Sequence, residues 1–190
     1  MPSAETQRLT DEERRALLAI ARRSLAAAVG RSAVAVDFAH LPRRLAEPGA
    51  SFVTLEAGGE LRGCIGSLER RAPLAQDVAA NAAAAALRDP RFPPVEEREL
   101  PGIVIHLSVL SPLEPLAAAS EEELVEKLRP GVDGLVVEAG RRRATFLPAV
   151  WRQLPERRDF LAHLYRKAGI PTGTWSEVFR FSRYTVEELS

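Results

Sequence analysis

Cysteine occurs once in the 190 residues, as Cys64. The chain therefore forms no internal disulfide and lacks both the paired thiols of a zinc motif and the cysteine set of an iron–sulfur cluster. Lysine is nearly missing too: 24 of the 26 basic residues are arginine, Lys127 and Lys167 being the exceptions. With abundant alanine, this bias points to a GC-rich bacterial or archaeal gene and lowers the weight that Arg-Arg pairs carry. Net charge is zero, 26 basic residues against 26 acidic, which removes the electrostatic footprint of a nucleic-acid or anionic-membrane binder. Long apolar runs are missing. The nearest, residues 78–87, is short, almost all alanine and interrupted by Asn81, so no membrane span is expected. The opening Met1-Pro2-Ser3-Ala4-Glu5-Thr6 has neither the charge nor the apolar run of a signal peptide, and a cytoplasmic location is expected. His40, His106 and His163 are scattered, with no pair at helical spacing, so neither a metal nor a cofactor is assigned. Gly58, Gly59, Gly63 and Gly66 do not lead a strand into a helix, as a phosphate-binding loop must.

What is present suits a folded core, with 46% hydrophobic and 27% charged residues. Thr10-Asp11-Glu12-Glu13 has the form of a capping box, and Leu17, Leu18, Ala21, Leu25 and Ala28 recur at helical spacing up to Gly30. The arginine pairs 14–15 and 22–23 fall on the expected solvated face. Residues 51–55 and 61–65 alternate around Gly58-Gly59 as a hairpin. Pro73 opens a helix to Leu87, with Leu74, Val78, Ala82 and Ala85 on one face. A strand follows at 103–110, then a helix from a second capping box at Ser120 through Leu128. A hairpin at 134–138 and 143–147, a helix at 159–167 ending at Gly169, and a last strand at 178–186 complete the pattern. Hairpins dominate without βαβ alternation, so the class is α+β, a mainly antiparallel sheet flanked by helices, with no internal repeat and no linker. Arg141-Arg142-Arg143, beside Phe146 and Trp151, reads as a solvated turn.

The segment richest in chemistry is Leu61-Arg62-Gly63-Cys64-Ile65-Gly66. Glycine weakens a strand unless backbone or ligand approaches closely, so Gly63 and Gly66 around a thiol mark a crowded surface. Alternation places Arg62 and Cys64 on one face, where a guanidinium favours the thiolate. Cys64 has two readings: a small hydrophobe in packing, or a reactive group. Asn81, polar among alanines, either bonds a neighbouring loop or lines a pocket. In Asp89-Pro90-Arg91-Phe92, Asp89 and Arg91 form either a structural salt bridge or a ligand clamp, on a backbone that prolines 90, 93 and 94 stiffen. Close packing of the alanine-rich helix on the glycines is expected to bring Asn81, Asp89 and Arg91 toward Cys64. His106 and Ser108 share a strand face, and the histidine is read as a half-buried side chain rather than a catalytic one.

The string L-R-G-C-I-G, with Phe52-Val53-Thr54-Leu55 before it and Asp89-Pro90-Arg91-Phe92-Pro93-Pro94 after it, resembles the AMMECR domain family. Bacterial and archaeal members of that family are called AmmeMemoRadiSam system protein A. The likeness continues through Leu107-Ser108-Val109-Leu110-Ser111-Pro112, Gly131-Val132-Asp133-Gly134-Leu135, Thr145-Phe146-Leu147-Pro148 and Lys167-Ala168-Gly169. It covers roughly residues 10–187, so residues 1–190 are expected to be one AMMECR-type domain. The resemblance implies a larger lobe built from both ends of the chain, a smaller lobe between, and Memo-type and radical-SAM proteins as partners. Where this chain has His106, the family pattern more often has an acidic residue, which counts against a family-wide Cys-His dyad.

The resulting expectation is a pocket with Cys64 as its catalytic residue and Arg62, Gly63, Gly66, Asn81, Asp89 and Arg91 as its ligand-binding residues, taking a small anionic ligand. The alternative is a non-catalytic protein-interaction module presenting the glycine-rich motif, and a nucleic-acid-associated role stands third. An enclosed concave site favours the first and a flat apolar patch the second.

Overall fold

A computed structural model describes residues 8–32 and 35–190. The expectation drawn from residues 1–6 lies outside the described residues. The chain is α+β and divides into two compact units, residues 1–110 with 187–190, and residues 111–186.

The first unit begins with α1 (Asp11–Val29). Thr10 Oγ1 accepts from Glu13 N–H while the Glu13 carboxylate accepts from Thr10 N–H, completing the capping box, and Leu17, Ile20, Ala21 and Leu25 turn inward. Of the arginines expected in solvent, two reach back to the sheet: Arg14 pairs with Glu187, and Arg22 donates to the Ile103 carbonyl at 2.8 Å. Their long stems let a charged head leave an otherwise solvated face for an unsatisfied acceptor. The chain then forms β1 (Pro48–Gly49), β2 (Ser51–Ala57), β3 (Glu60–Gly66), β4 (Ala72–Pro73), α2 (Leu74–Leu87) and β5 (Ile103–Leu110). β1 and β4 pair as a two-residue ladder, which the sequence pattern did not reveal because two residues carry no period. Gly58 and Gly59, at φ +61° and +83°, make the hairpin turn between β2 and β3.

The second unit contains β6 (Glu114–Pro115), α3 (Glu121–Lys127), β7 (Gly134–Ala139), β8 (Arg142–Phe146), α4 (Arg157–Ala168) and β9 (Arg180–Tyr184). Its sheet has the order β6-β9-β7-β8, and its core stacks Trp151 on Phe160, centroids 3.8 Å apart, with Phe146 edge-on to Phe160. α4 stops at Gly169 in the left-handed conformation. The capping box expected for α3 is half formed. Ser120 Oγ accepts from Glu123 N–H, but the Glu123 carboxylate accepts from Ala119 N–H at 2.7 Å and pairs with Lys127. The lysine and the preceding amide draw it away from Ser120.

The strand expected at 178–186 is two strands. β9 belongs to the second unit's sheet, whereas β10 (Val186–Leu189) belongs to the first unit's sheet, order β10-β5-β2-β3. Thr185 separates them because its own N–H donates to Ser111 Oγ and its carbonyl accepts from Ser111 N–H, both at 2.9 Å. A residue bonded this way is taken out of either ladder.

Candidate functional site

The first unit's sheet has two unlike faces. Ser51, Val53 and Leu55 of β2 and Ile103, Ile105 and Leu107 of β5 are buried, and α2 packs over β2 and β3. A methyl group added at Gly63 would lie 2.2 Å from the Ala85 carbonyl oxygen, so helix backbone rests directly on that glycine, as the run of alanines leads one to expect. Gly66 serves a different neighbour: its added methyl would strike the Phe52 ring at 2.3 Å and the Ser51 carbonyl at 2.4 Å, not the helix.

Cys64 pairs with Thr54 on the opposite face, and Thr54 pairs in turn with His106 of β5. β3 is an edge strand, and Cys64 directs its backbone N–H and C=O away from β2. Both are met from outside. Asp89 Oδ2 accepts from Cys64 N–H at 2.8 Å, and Arg91 Nη2 reaches the Cys64 carbonyl at 3.5 Å. Asp89 and Arg91 also bind each other, Nε to Oδ1 at 2.9 Å and Nη2 to Oδ2 at 2.6 Å, and Asp89 Oδ1 accepts from Arg91 N–H. The Asp89 side chain is 2% exposed and that of Arg91 is 55% exposed. The Arg91 guanidinium, ahead of the Cys64 N–H, holds the Asp89 carboxyl below the usual carboxylate range against the opposing effect of enclosure. This clip satisfies the edge and blocks another strand from pairing at Cys64.

Arg62 is placed otherwise than strict alternation implies. The β2–β3 register slips between Leu55 and Glu56, Gly63 facing Leu55 and Leu61 facing Glu56, so Arg62 is an unpaired bulge residue. Its guanidinium donates from Nε to Glu99 Oε1 at 2.7 Å, from Nη2 to Glu99 Oε2 at 3.1 Å, and from Nη1 and Nη2 to the carbonyls of Pro93 and Pro94. Glu99 is held in the short 3-10 helix Glu97–Gly102, its Oε2 also accepting from Glu96 N–H. Arg62, by its hydrogen bonds, and the Glu96 N–H keep the Glu99 carboxyl below its ordinary range. Arg62 thus ties β3 to the proline-rich segment, and its charge is matched by Glu99.

Asn81 does not join Cys64. Its Nδ2 donates to the Ser51 carbonyl at 3.1 Å, Ser51 Oγ at 3.2 Å and Asp77 Oδ2 at 2.9 Å, on the α2 side of the sheet. Ser51 Oγ also donates to Asp77 Oδ2 at 2.6 Å. Burial raises the Asp77 pKa, partly offset by Ser51. Of the residues expected to meet at the motif, Asp89 and Arg91 therefore reach Cys64. Arg62 and Asn81 support the strands on either side, and Gly63 and Gly66 admit the helix and Phe52.

The open face also holds Thr54 and Glu56, to which the sequence reading assigned no role, beside His106 and Ser108, which share a strand face as expected. Thr54 Oγ1 donates to Cys64 Sγ at 3.2 Å. His106 Nε2 lies 3.1 Å from Glu56 Oε2, an ion-pair distance whose angle falls short of a hydrogen bond, so Nε2 is enclosed without an aligned partner. Ser108 Oγ donates to the Glu188 carboxylate. At the end of this face Leu61 and Val104 flank Glu56, 42% and 51% exposed. The period of two in β2 and β5 would have put Thr54, Glu56 and His106 on one face; the pairing register, which no local pattern gives, put Cys64 beside them.

Among the described residues, no helix is long and apolar enough to cross a membrane, and no cluster of three or more His, Cys, Asp or Glu side chains is arranged to hold a metal ion. Residues 18–189 match the AMMECR1 family. A protein of Thermofilum pendens is 39% identical over 193 residues, covering 92% of this chain and 89% of its own length. The protein MK0488 of Methanopyrus kandleri is 35% identical, covering 96% of this chain and 91% of its own. The crystal structure of the uncharacterized protein PH0010 from Pyrococcus horikoshii is 33% identical and superposes with a TM-score of 0.86, covering 95% of this chain and 92% of that one. With a family match over residues 18–189 and a relative 39% identical across 92% of this sequence, the chain belongs to the AMMECR1 family.

Proposed function

We propose that the chain acts in the cytoplasm through a small-ligand site at Cys64, which binds or transforms an anionic compound in concert with Memo-type and radical-SAM proteins. The observation that carries this reading is the Asp89–Arg91 clip, which fixes the Cys64 backbone at both its N–H and its carbonyl. Residues whose geometry matters to chemistry are those whose supports are locked in this way. Arg62 and Asn81 have their donors occupied and serve as supports. Arg91 keeps its Nη1 hydrogens and a side chain more than half exposed, so it is the cation that meets an anionic group beside the thiol.

The test is co-purification of small molecules on the native chain, Cys64→Ala and Arg91→Ala, read by mass spectrometry. A compound retained by the native chain and lost from both variants supports the site; equal retention by all three removes it. Leu61 and Val104, exposed on the same sheet face, favour a second reading as an interaction module. Under that reading Leu61→Ser abolishes capture of the Memo-type protein while Cys64→Ala does not.

A further inference from the structure

We infer that His106 is the group that exchanges the proton of Cys64, acting through the hydroxyl of Thr54. The inference rests on the reading of Cys64 as the reacting group of the site. The three residues stand at one register position on the consecutive strands β3, β2 and β5, Thr54 pairing with Cys64 on one side and His106 on the other. Opposed Cβ atoms on neighbouring strands are about 4.5–5.5 Å apart, which puts Cys64 and His106 roughly 10 Å apart at Cβ with Thr54 between them. Thr54 already makes one of the two bonds that a relay needs, Oγ1 to Cys64 Sγ at 3.2 Å. Glu56 is the diagonal neighbour of His106 and lies against Nε2 at 3.1 Å, leaving Nδ1 as the nitrogen that takes up a proton.

The step balances within the protein. The thiol proton passes to Thr54 Oγ1 as the hydroxyl proton of Thr54 passes to His106 Nδ1. One S–H and one O–H bond break, one O–H and one N–H bond form, and Thr54 ends unchanged. The product is a thiolate that accepts from Thr54 Oγ1, the donor direction found in the structure, and an imidazolium facing the Glu56 carboxylate. The other charged groups around the row come in opposed pairs, Asp89 with Arg91 at the Cys64 backbone and Arg62 with Glu99 beside it. Glu188 of β10, bonded to Ser108 two residues along β5, is a further carboxylate on this face.

Alkylation of Cys64 by iodoacetamide, followed by mass spectrometry between pH 5 and 10, tests the inference on the native chain, His106→Gln, Thr54→Val, Thr54→Ser and Glu56→Gln. Each rate is divided by that of the same chain unfolded in urea. The native profile is expected to show two steps. His106→Gln and Thr54→Val lose the lower step and react about tenfold more slowly at neutral pH, the effect of removing one hydrogen bond to a charged group. Thr54→Ser keeps the native profile, and Glu56→Gln weakens the lower step. These side chains lie on the half-exposed face, so circular dichroism is expected to show all four variants folded. A His106→Gln profile that overlays the native one, with the native thiol still faster than its unfolded control, overturns the role of His106 alone. A native thiol no faster than the unfolded chain at any pH overturns the underlying reading of Cys64.

Discussion

Replacing Asp89 by alanine removes one carboxylate and four hydrogen bonds at once, those from Cys64 N–H, Arg91 N–H, Arg91 Nε and Arg91 Nη2. The terms are unequal. The Cys64 amide loses its partner at a covered edge, at about 1–3 kcal/mol. The Arg91 side chain is more than half exposed and is rehydrated when freed, so its share is about 0.2–1 kcal/mol. The sum is about 1–4 kcal/mol, which for a chain of this size lowers the melting temperature by roughly 2–16 °C. The effect also depends on pH. The Asp89 carboxyl ionises more readily in the folded chain than in the unfolded one, so its contribution is fully present above the unfolded value of about 3.9. It fades as pH falls from there through the lowered folded value. The gap between native and variant is thus widest near neutrality and closes below about pH 4. Calorimetry at pH 7 and pH 3.5, with hydrogen exchange at the Cys64 amide, reads both parts. Unchanged protection of that amide in the variant, or a melting shift equal at the two pH values, would refute the clip as the edge's support.

Gly63→Ala is expected to lose at least about 1–3 kcal/mol, since the new methyl meets the fixed Ala85 carbonyl, whereas Gly58→Ala acts only through its positive φ; thermal melts rank the two. Arg62→Ala leaves Glu99 and the Pro93 and Pro94 carbonyls without their donor, so proteolysis after the segment is expected to quicken, while Arg62→Lys, a single ammonium in place of a fork, restores only part of the protection. Asp77→Asn is expected to stabilise the chain at pH 7 and to matter little at pH 3. Burial raises the folded pKa of Asp77, so its favourable state is the protonated one, present below the unfolded value and lost as pH rises through the folded one; urea denaturation at both pH values checks it.

Periodic elements were legible where the local code is strong. Thr10 with Glu13, the Gly58-Gly59 turn and Gly169 each impose a backbone conformation that few other residues adopt so readily, and α1, the β2–β3 hairpin and the end of α4 lie where these signals put them. The candidate site was legible only in part. Asp89 and Arg91 were marked by the prolines around them, but their target, the two backbone groups of an edge residue, depends on which strand ends the sheet. Arg62 was misjudged because a bulge interrupts the period of two, and nothing in Leu61-Arg62-Gly63 announces one. Asn81 found Ser51 30 residues away and Thr54 found Cys64 10 residues away, which spacing along the chain does not encode. The split at Thr185 was invisible for the same reason, its partner being Ser111.

That split sets an order of events during synthesis. β5 is complete at Leu110, yet the strand that covers its outer edge, β10, is made only after the 75 residues 111–185 have been added. At about 5–20 residues per second, β5 stands with one open edge for roughly 4–15 s. During that interval the row of unpaired amides and carbonyls along β5 is a target for another nascent chain on the same message, and a chaperone that binds extended segments would find it there. Moving residues 186–189 ahead of α1 by circular permutation closes that window, and expression of the permuted gene at high polysome density should yield less aggregate than the natural order.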